Sequence, residues 1–283
     1  MQVLPQALFL VMLELTVGSF VSLYLLDVRG GTTRGFLIFQ GVLYLIFGIL
    51  TLLAMNSFAT PEIVRGTGLD GRWLSAQGPL VLLFVLSMLP WNVLLWRSKQ
   101  SGAKGQGAPP PRVIAGLITC VIGILSLLVV GLAYRTLADS RLDGTFVVLA
   151  FLAGSMALGG VMTAMLLGHW YLTSPTMSIA PLSTANLCFA SAAGSRLAVS
   201  ATSLLVGWQS LSEVSLAGTP LMWLVLRWLA GIVAPLVLAL MVWRILRYRN
   251  TQAATGVLFV GVIVTFIGEL SATLVSRELH LPL

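Results

Sequence analysis

Four ionisable residues lie deep inside apolar runs of this chain: Glu14, Arg196, Arg227 and Glu269. Charge inside a bilayer core is costly, so groups kept there are candidates for pairing, for carrying protons or for holding a ligand. Three of them sit on a polar stripe of their own helix. Glu269 shares a face with Thr265, Thr273 and Ser276, Arg196 with Ser200 and Ser203, and Glu14 with Gly18 and Ser22. Residues four apart lie on one helix face. Such stripes suit a water-lined cavity or a proton relay. They also suit buried ion pairs that fix helix order and do no chemistry.

Depth along each run sorts the four charges. At about 1.5 Å per residue in a core of about 30 Å, Glu14 and Arg196 share a level near the midplane. Arg227 and Glu269 share a second level. The depths predict two pairs, Glu14 with Arg196 and Glu269 with Arg227, or one connected network.

A second group of candidates gathers near one end of the runs. His169, one of only two histidines, closes an apolar run and is followed by Trp170 and Tyr171. An imidazole there could donate a hydrogen bond to a quinone carbonyl or exchange its proton, because its pKa lies near neutrality. Trp170 and Tyr171 would flank a flat ligand. The plainer alternative is a histidine in an interfacial aromatic belt. Asp27 ends a run on the same side and could partner the proton. Gln40 and Tyr44, four apart, could line the same pocket or simply bond between helices.

The elements that must position these residues are membrane helices. Of 283 residues, 58% are hydrophobic and 9% charged, and the mean hydropathy is +0.98. Runs of about 20 apolar residues, the length that crosses a bilayer core, recur throughout. The fold class expected is all-α: an integral membrane bundle of eight transmembrane helices forming a single domain over residues 1–283. The spans expected are Leu4–Leu26, Phe36–Ser57, Leu74–Trp96, Val113–Tyr134, Thr145–Gly168, Thr184–Trp208, Pro220–Trp243 and Gly256–Val275. The first run has no basic flank and contains Glu14, so it reads as a retained helix. The flexible basic spacer 97–112 carries three prolines just before its last residue, Arg112, and divides the chain into three and five spans.

Small residues at fourfold spacing let helices approach closely. Gly160, Ala164 and Gly168 in span 5, and Ala190, Gly194 and Ala198 in span 6, place these two spans at the centre of the bundle. Nine loop Lys and Arg fall on one side and five on the other. The positive-inside rule then sets both termini outside. The net charge of +7 resides mainly in these short loops, so no nucleic acid partner is implied. The setting expected is a bacterial inner (cytoplasmic) membrane.

Several chemistries are disfavoured. Under this topology His169 and His280 lie on opposite faces, so they cannot ligate one haem, and no haem is expected. Cys120 and Cys188 show no CxxC spacing, so no metal site is expected. No lysine lies in a span, which removes a Schiff-base site.

The segments RWLAGIVAPLVLALMVWRILRYRN and GVLFVGVIVTFIGELSATL, with eight spans and both termini outside, resemble the NrfD/PsrC/DmsC-like quinone-binding membrane anchors of bacterial redox complexes. That resemblance implies a subunit without its own redox centre. It would bind quinone beside an iron–sulfur partner and supply acidic and histidine groups for protons. No family site motif matches residue by residue, so no site residue is carried over. Two other classes remain open. A small-solute or proton-coupled transporter would show inverted repeats and broken helices, for which Pro90 and Pro235 are the available breaks. A structural or assembly protein would have its four charges fully paired.

Overall fold

The computed structural model describes residues 3–58, 69–98, 110–135, 141–174, 176–206 and 219–278. Within them the regular structure is helical, with no strand. The rods are α1 (Val3–Arg29), α2 (Arg34–Phe58), α3 (Gly71–Arg97), α4 (Pro111–Tyr134), α5 (Arg141–Trp170), α6 (Ala180–Val206), α7 and α8 (Thr251–Glu278). Rod α7 has three parts: Thr219–Trp228, a π turn at Leu229–Val233, and Ala234–Arg247.

Seven rods, all but α6, are long and apolar enough to cross a membrane, and the chain is a multi-pass membrane protein. Rod α6 has the length, but its serines, its small residues and Arg196 leave it less apolar. The outward faces carry Leu82, Leu86 and Val93 on α3 and Leu117, Ile118 and Val121 on α4, all exposed. Lipid would accept such a surface and water would not.

Local chemistry sets several helix ends. Asp70 caps α3, its carboxylate accepting from the Arg72 backbone N–H at 3.0 Å. Pro111 stands at the start of α4, where its missing N–H costs nothing. In α7, Pro235 cannot donate to the carbonyl four residues back, and the π turn absorbs the mismatch just before it.

The centre of the bundle is α1 against α5, with α1 the most enclosed rod. A Cβ on Gly18 would strike the Ser155 carbonyl, and one on Gly159 would strike the Gly18–Ser19 backbone. The two backbones therefore touch. Rod α6 packs on α5, where Gly160 admits Phe189, and Gly168 admits Thr255 of α8. The small-residue row expected on α6 does not serve this packing. Ala198 is exposed, and nothing lies within 4 Å of a Cβ on Gly194. Phe189, Ala193, Arg196 and Ser200 form the inward face instead. Span 5 is central as expected; it packs on α6 as extensively as on α1, and its backbone touches that of α1.

One end of the bundle is tied by polar contacts between rods. The Arg34 guanidinium donates to the Trp96 carbonyl, Arg112 to Ser98 Oγ at 3.2 Å, and Trp170 Nε1 to Thr33 Oγ1 at 2.8 Å. Arg29, Arg97, Arg244, Arg247 and Arg249 lie at the same end, which is called the basic rim below.

Candidate functional site

The four intramembrane charges are all sealed in the bundle. Glu14 is 3% exposed, Arg196 2%, Glu269 2% and Arg227 0%. Arg196 Nη1 pairs with Glu269 Oε1. The pairing expected from depth, Glu14 with Arg196 and Glu269 with Arg227, is therefore replaced by a cross-pair of Arg196 with Glu269. Depth gives the height of a charge in the membrane but not its direction around the helix.

Gly154 of α5 is where three of the groups meet. A Cβ there would collide with Arg196 Nη1 and lie 2.8 Å from Glu269 Oε2 and 3.1 Å from Glu14 Oε1. Rods α6 and α8 both pack on α5, and the missing side chain at 154 opens the space in which Arg196 and Glu269 touch. Glu14 is held close by its own backbone, whose carbonyl accepts from Ser155 Oγ at 2.9 Å. The glycine at 154 thus leaves room for a three-helix charge contact that a larger residue would crowd.

Arg227 joins from the far side. Its Nη2 donates to Ser200 Oγ at 3.4 Å, one turn along α6 from Arg196. The π turn brings Gly231 of α7 against Gly268 of α8, with Gly268 next to Glu269. A Cβ on Gly231 would sit 2.9 Å from Arg227 Nη1, so this crossing also makes room for the guanidinium. Arg196 Nε, Arg227 Nε, Arg227 Nη1 and Thr265 Oγ1 are buried without a partner among the described residues. Thr273 Oγ1 donates to the Glu269 carbonyl at 3.0 Å, and Ser276 falls where side chains are not described.

The residues near the basic rim separate into two sets. His169 is exposed at the end of α5. Trp170 is half-buried; its indole N–H goes to Thr33, and its ring stacks on Phe39 at 6.1 Å and meets Phe36 edge-on at 5.9 Å. Tyr171 is buried, and its hydroxyl donates to the Ser178 carbonyl. Burial pushes the Tyr171 phenol up to about 12, so it keeps its proton at neutral pH. Asp27 pairs with Arg112 at 3.1 Å.

Gln40 and Tyr44 lie deeper. Tyr44 Oη shares a hydrogen bond of 2.8 Å with Thr163 Oγ1, which donates to the Ser19 carbonyl at 3.4 Å. Both polar atoms of the Gln40 amide are buried without a partner among the described residues. Sequence alone did not single out Gly154, Ser155, Thr163, Ser19 or Arg112. The glycine pattern of α5 was visible, but the use of Gly154 as a charge vestibule depends on which helices pack there. His280 lies outside the described residues. Compared with known proteins, this chain matches no protein-family model and no curated relative.

Proposed function

We propose that this chain is a proton-handling integral membrane protein whose working groups are Glu14, Arg196, Glu269 and Arg227. The observation that carries this is the convergence of both carboxylates and the Arg196 guanidinium on Gly154, sealed from the surface. Protonating either acid changes the charge balance at Arg196. Proton occupancy is thereby coupled to the contacts of α1, α6 and α8, and through Arg227 to the π turn of α7. Intramembrane ionisable groups of this kind mark proton and ion routes. A π turn beside them supplies a place where a helix can shift register. The positive-inside rule sets the basic rim on the cytoplasmic face, in a bacterial inner membrane with eight spans and both termini outside.

The test is proton flux in liposomes containing the purified protein and a pH-sensitive dye. Glu14→Gln and Glu269→Gln should each lower flux by roughly a hundredfold, the scale of losing one acid–base group. Wild-type flux in both variants, or none in the native protein with any partner present, would leave the charges as structural pairs.

A second reading adds quinone at the basic rim, in a subunit of a redox complex without its own redox centre. It is favoured by the exposed His169 imidazole next in sequence to Trp170, whose ring stacks on the half-exposed Phe39. The resemblance of the last two rods to quinone-binding anchors supports it. A flat ring could lie on that aromatic pair from the lipid side and accept a hydrogen bond from His169. The proton centre stands without this second reading.

A further inference from the structure

Between the charge centre and the basic rim lies a column of buried polar groups that the protein itself does not satisfy. It follows α1 from Glu14 to Asp27, which at 1.5 Å per residue is about 20 Å. Ser22 Oγ and Asp27 Oδ2 on α1 and both polar atoms of Gln40 on α2 are buried without a partner among the described residues, and the buried Ser19 hydroxyl faces Tyr44. Several of these groups share a neighbourhood, and Asp27 stands further along α1 at the rim. Tyr44 and Thr163 join α2 to α5 beside Ser19. Gln40 is one turn along α2 from Tyr44, and Ser22 is one turn along α1 from Ser19. Rods α1 and α2 are antiparallel with a four-residue connection, so both steps run toward the basic rim. A Cβ on Gly41, next to Gln40, would lie 2.8 Å from the benzo edge of the Trp91 ring, which closes this side of the column, while the Nε1-bearing edge of that ring faces Gly116 of α4.

Leaving a buried donor or acceptor unpaired costs roughly 1–3 kcal/mol each, and several in a row is not a stable arrangement of a dry interior. Buried water ordinarily bonds such groups. We propose that the α1–α2–α5 column from Asp27 to Tyr44 is filled by ordered water and is the route by which protons reach Glu14 from the basic rim. The proton part rests on the function proposed above; the water part does not. Asp27, held by Arg112, is the entry group. The hydroxyls and the Gln40 amide hold the water chain, whose upper end passes Ser155, bonded to the Glu14 carbonyl, to reach the Glu14 carboxylate. One proton taken up at the rim and relayed along the chain leaves one proton on Glu14.

Two measurements test it. Radiolytic hydroxyl labelling in ¹⁸O water, on the unmodified protein in membranes, reads water beside buried side chains. Tyr44 should take up label although it is fully buried, while the similarly buried Phe9 and Phe84 should not. Tyr44 as silent as Phe84 would overturn the water column. Proton flux then tests the route. Gln40→Leu should lower it by about tenfold or more, as Glu14→Gln does. Lowered flux in Glu14→Gln with normal flux in Gln40→Leu would overturn the route and leave the charge centre standing. Normal flux in both would overturn the proton function itself while leaving the labelling result intact.

Discussion

Arg196 of α6 and Glu269 of α8 form an ion pair beside Gly154 of α5, a helix on which both of theirs pack. The pair joins elements separated in sequence by the whole of α7. It thus fixes the C-terminal rods around α5, while Glu14 brings α1 to the same point.

Removing one member strands the other charge in a sealed interior. Arg196→Ala should therefore destabilise the protein by roughly 3–5 kcal/mol. The midpoint of thermal unfolding in detergent would fall accordingly. Replacing both members, Arg196→Leu with Glu269→Leu, should recover part of the loss, because an apolar pair strands nothing between them. A double variant less stable than Arg196→Ala alone would mean that Glu269 is held by something other than Arg196.

Gly154→Ala places a methyl group among Arg196 Nη1, Glu269 Oε2 and Glu14 Oε1. Overpacking of this kind costs about 1–3 kcal/mol. Gly194→Ala is the matched control, since nothing lies within 4 Å of its Cβ and the helix gains from losing a glycine. Unfolding midpoints should fall for the first variant and stay or rise for the second. The opposite order would remove Gly154 from the charge centre.

Much of this was legible before the fold was known, and the reason differs from feature to feature. Helix positions follow from apolar runs, because a bilayer imposes one length on every crossing. Membership of the charge network follows from rarity: an arginine or glutamate deep in such a run needs a partner at its own depth. The partner's identity was not legible. Glu269 and Arg227 stand on consecutive helices at one level, yet Glu269 turns to Arg196, because Gly154 opens that direction. The row Ala190, Gly194 and Ala198 had the spacing of a packing face, but spacing does not say whether a face points inward. Asp27 was legible as a helix-end acid, whereas its bond to Arg112 required knowing that α4 begins beside the end of α1.

That bond gives a third prediction. Asp27 and Arg112 are 3.1 Å apart, with the Asp27 side chain 1% exposed and Arg112 17%. Water reaches the guanidinium, so the pair is worth less than the sealed one at Gly154. Arg112→Ala should cost about 2 kcal/mol, between the surface and buried limits. Asp27→Asn keeps the shape and removes the stranded charge, so it should cost less. Equal losses for the two variants would show that packing, and not the ion pair, holds the end of α4 on α1.

The last prediction concerns His169 and the quinone reading. The imidazole is exposed at the end of α5, so His169→Gln should change stability by no more than about 0.5 kcal/mol. Glutamine keeps a hydrogen-bond donor but cannot exchange a proton near neutral pH. If a quinone lies against the Phe39–Trp170 stack, it should quench Trp170 fluorescence on titration. His169→Gln should then bind quinone about as tightly as the native protein, and quinol-linked proton turnover should fall roughly tenfold to a thousandfold. His169→Leu, with no donor, should also weaken binding by about tenfold, or 1.4 kcal/mol. Trp170→Leu removes both the ring and the bond to Thr33, so its binding defect must be read beside its unfolding midpoint. Quenching and turnover unchanged in His169→Leu would make this histidine an interfacial residue and leave the proposal for the charge centre at Gly154 untouched.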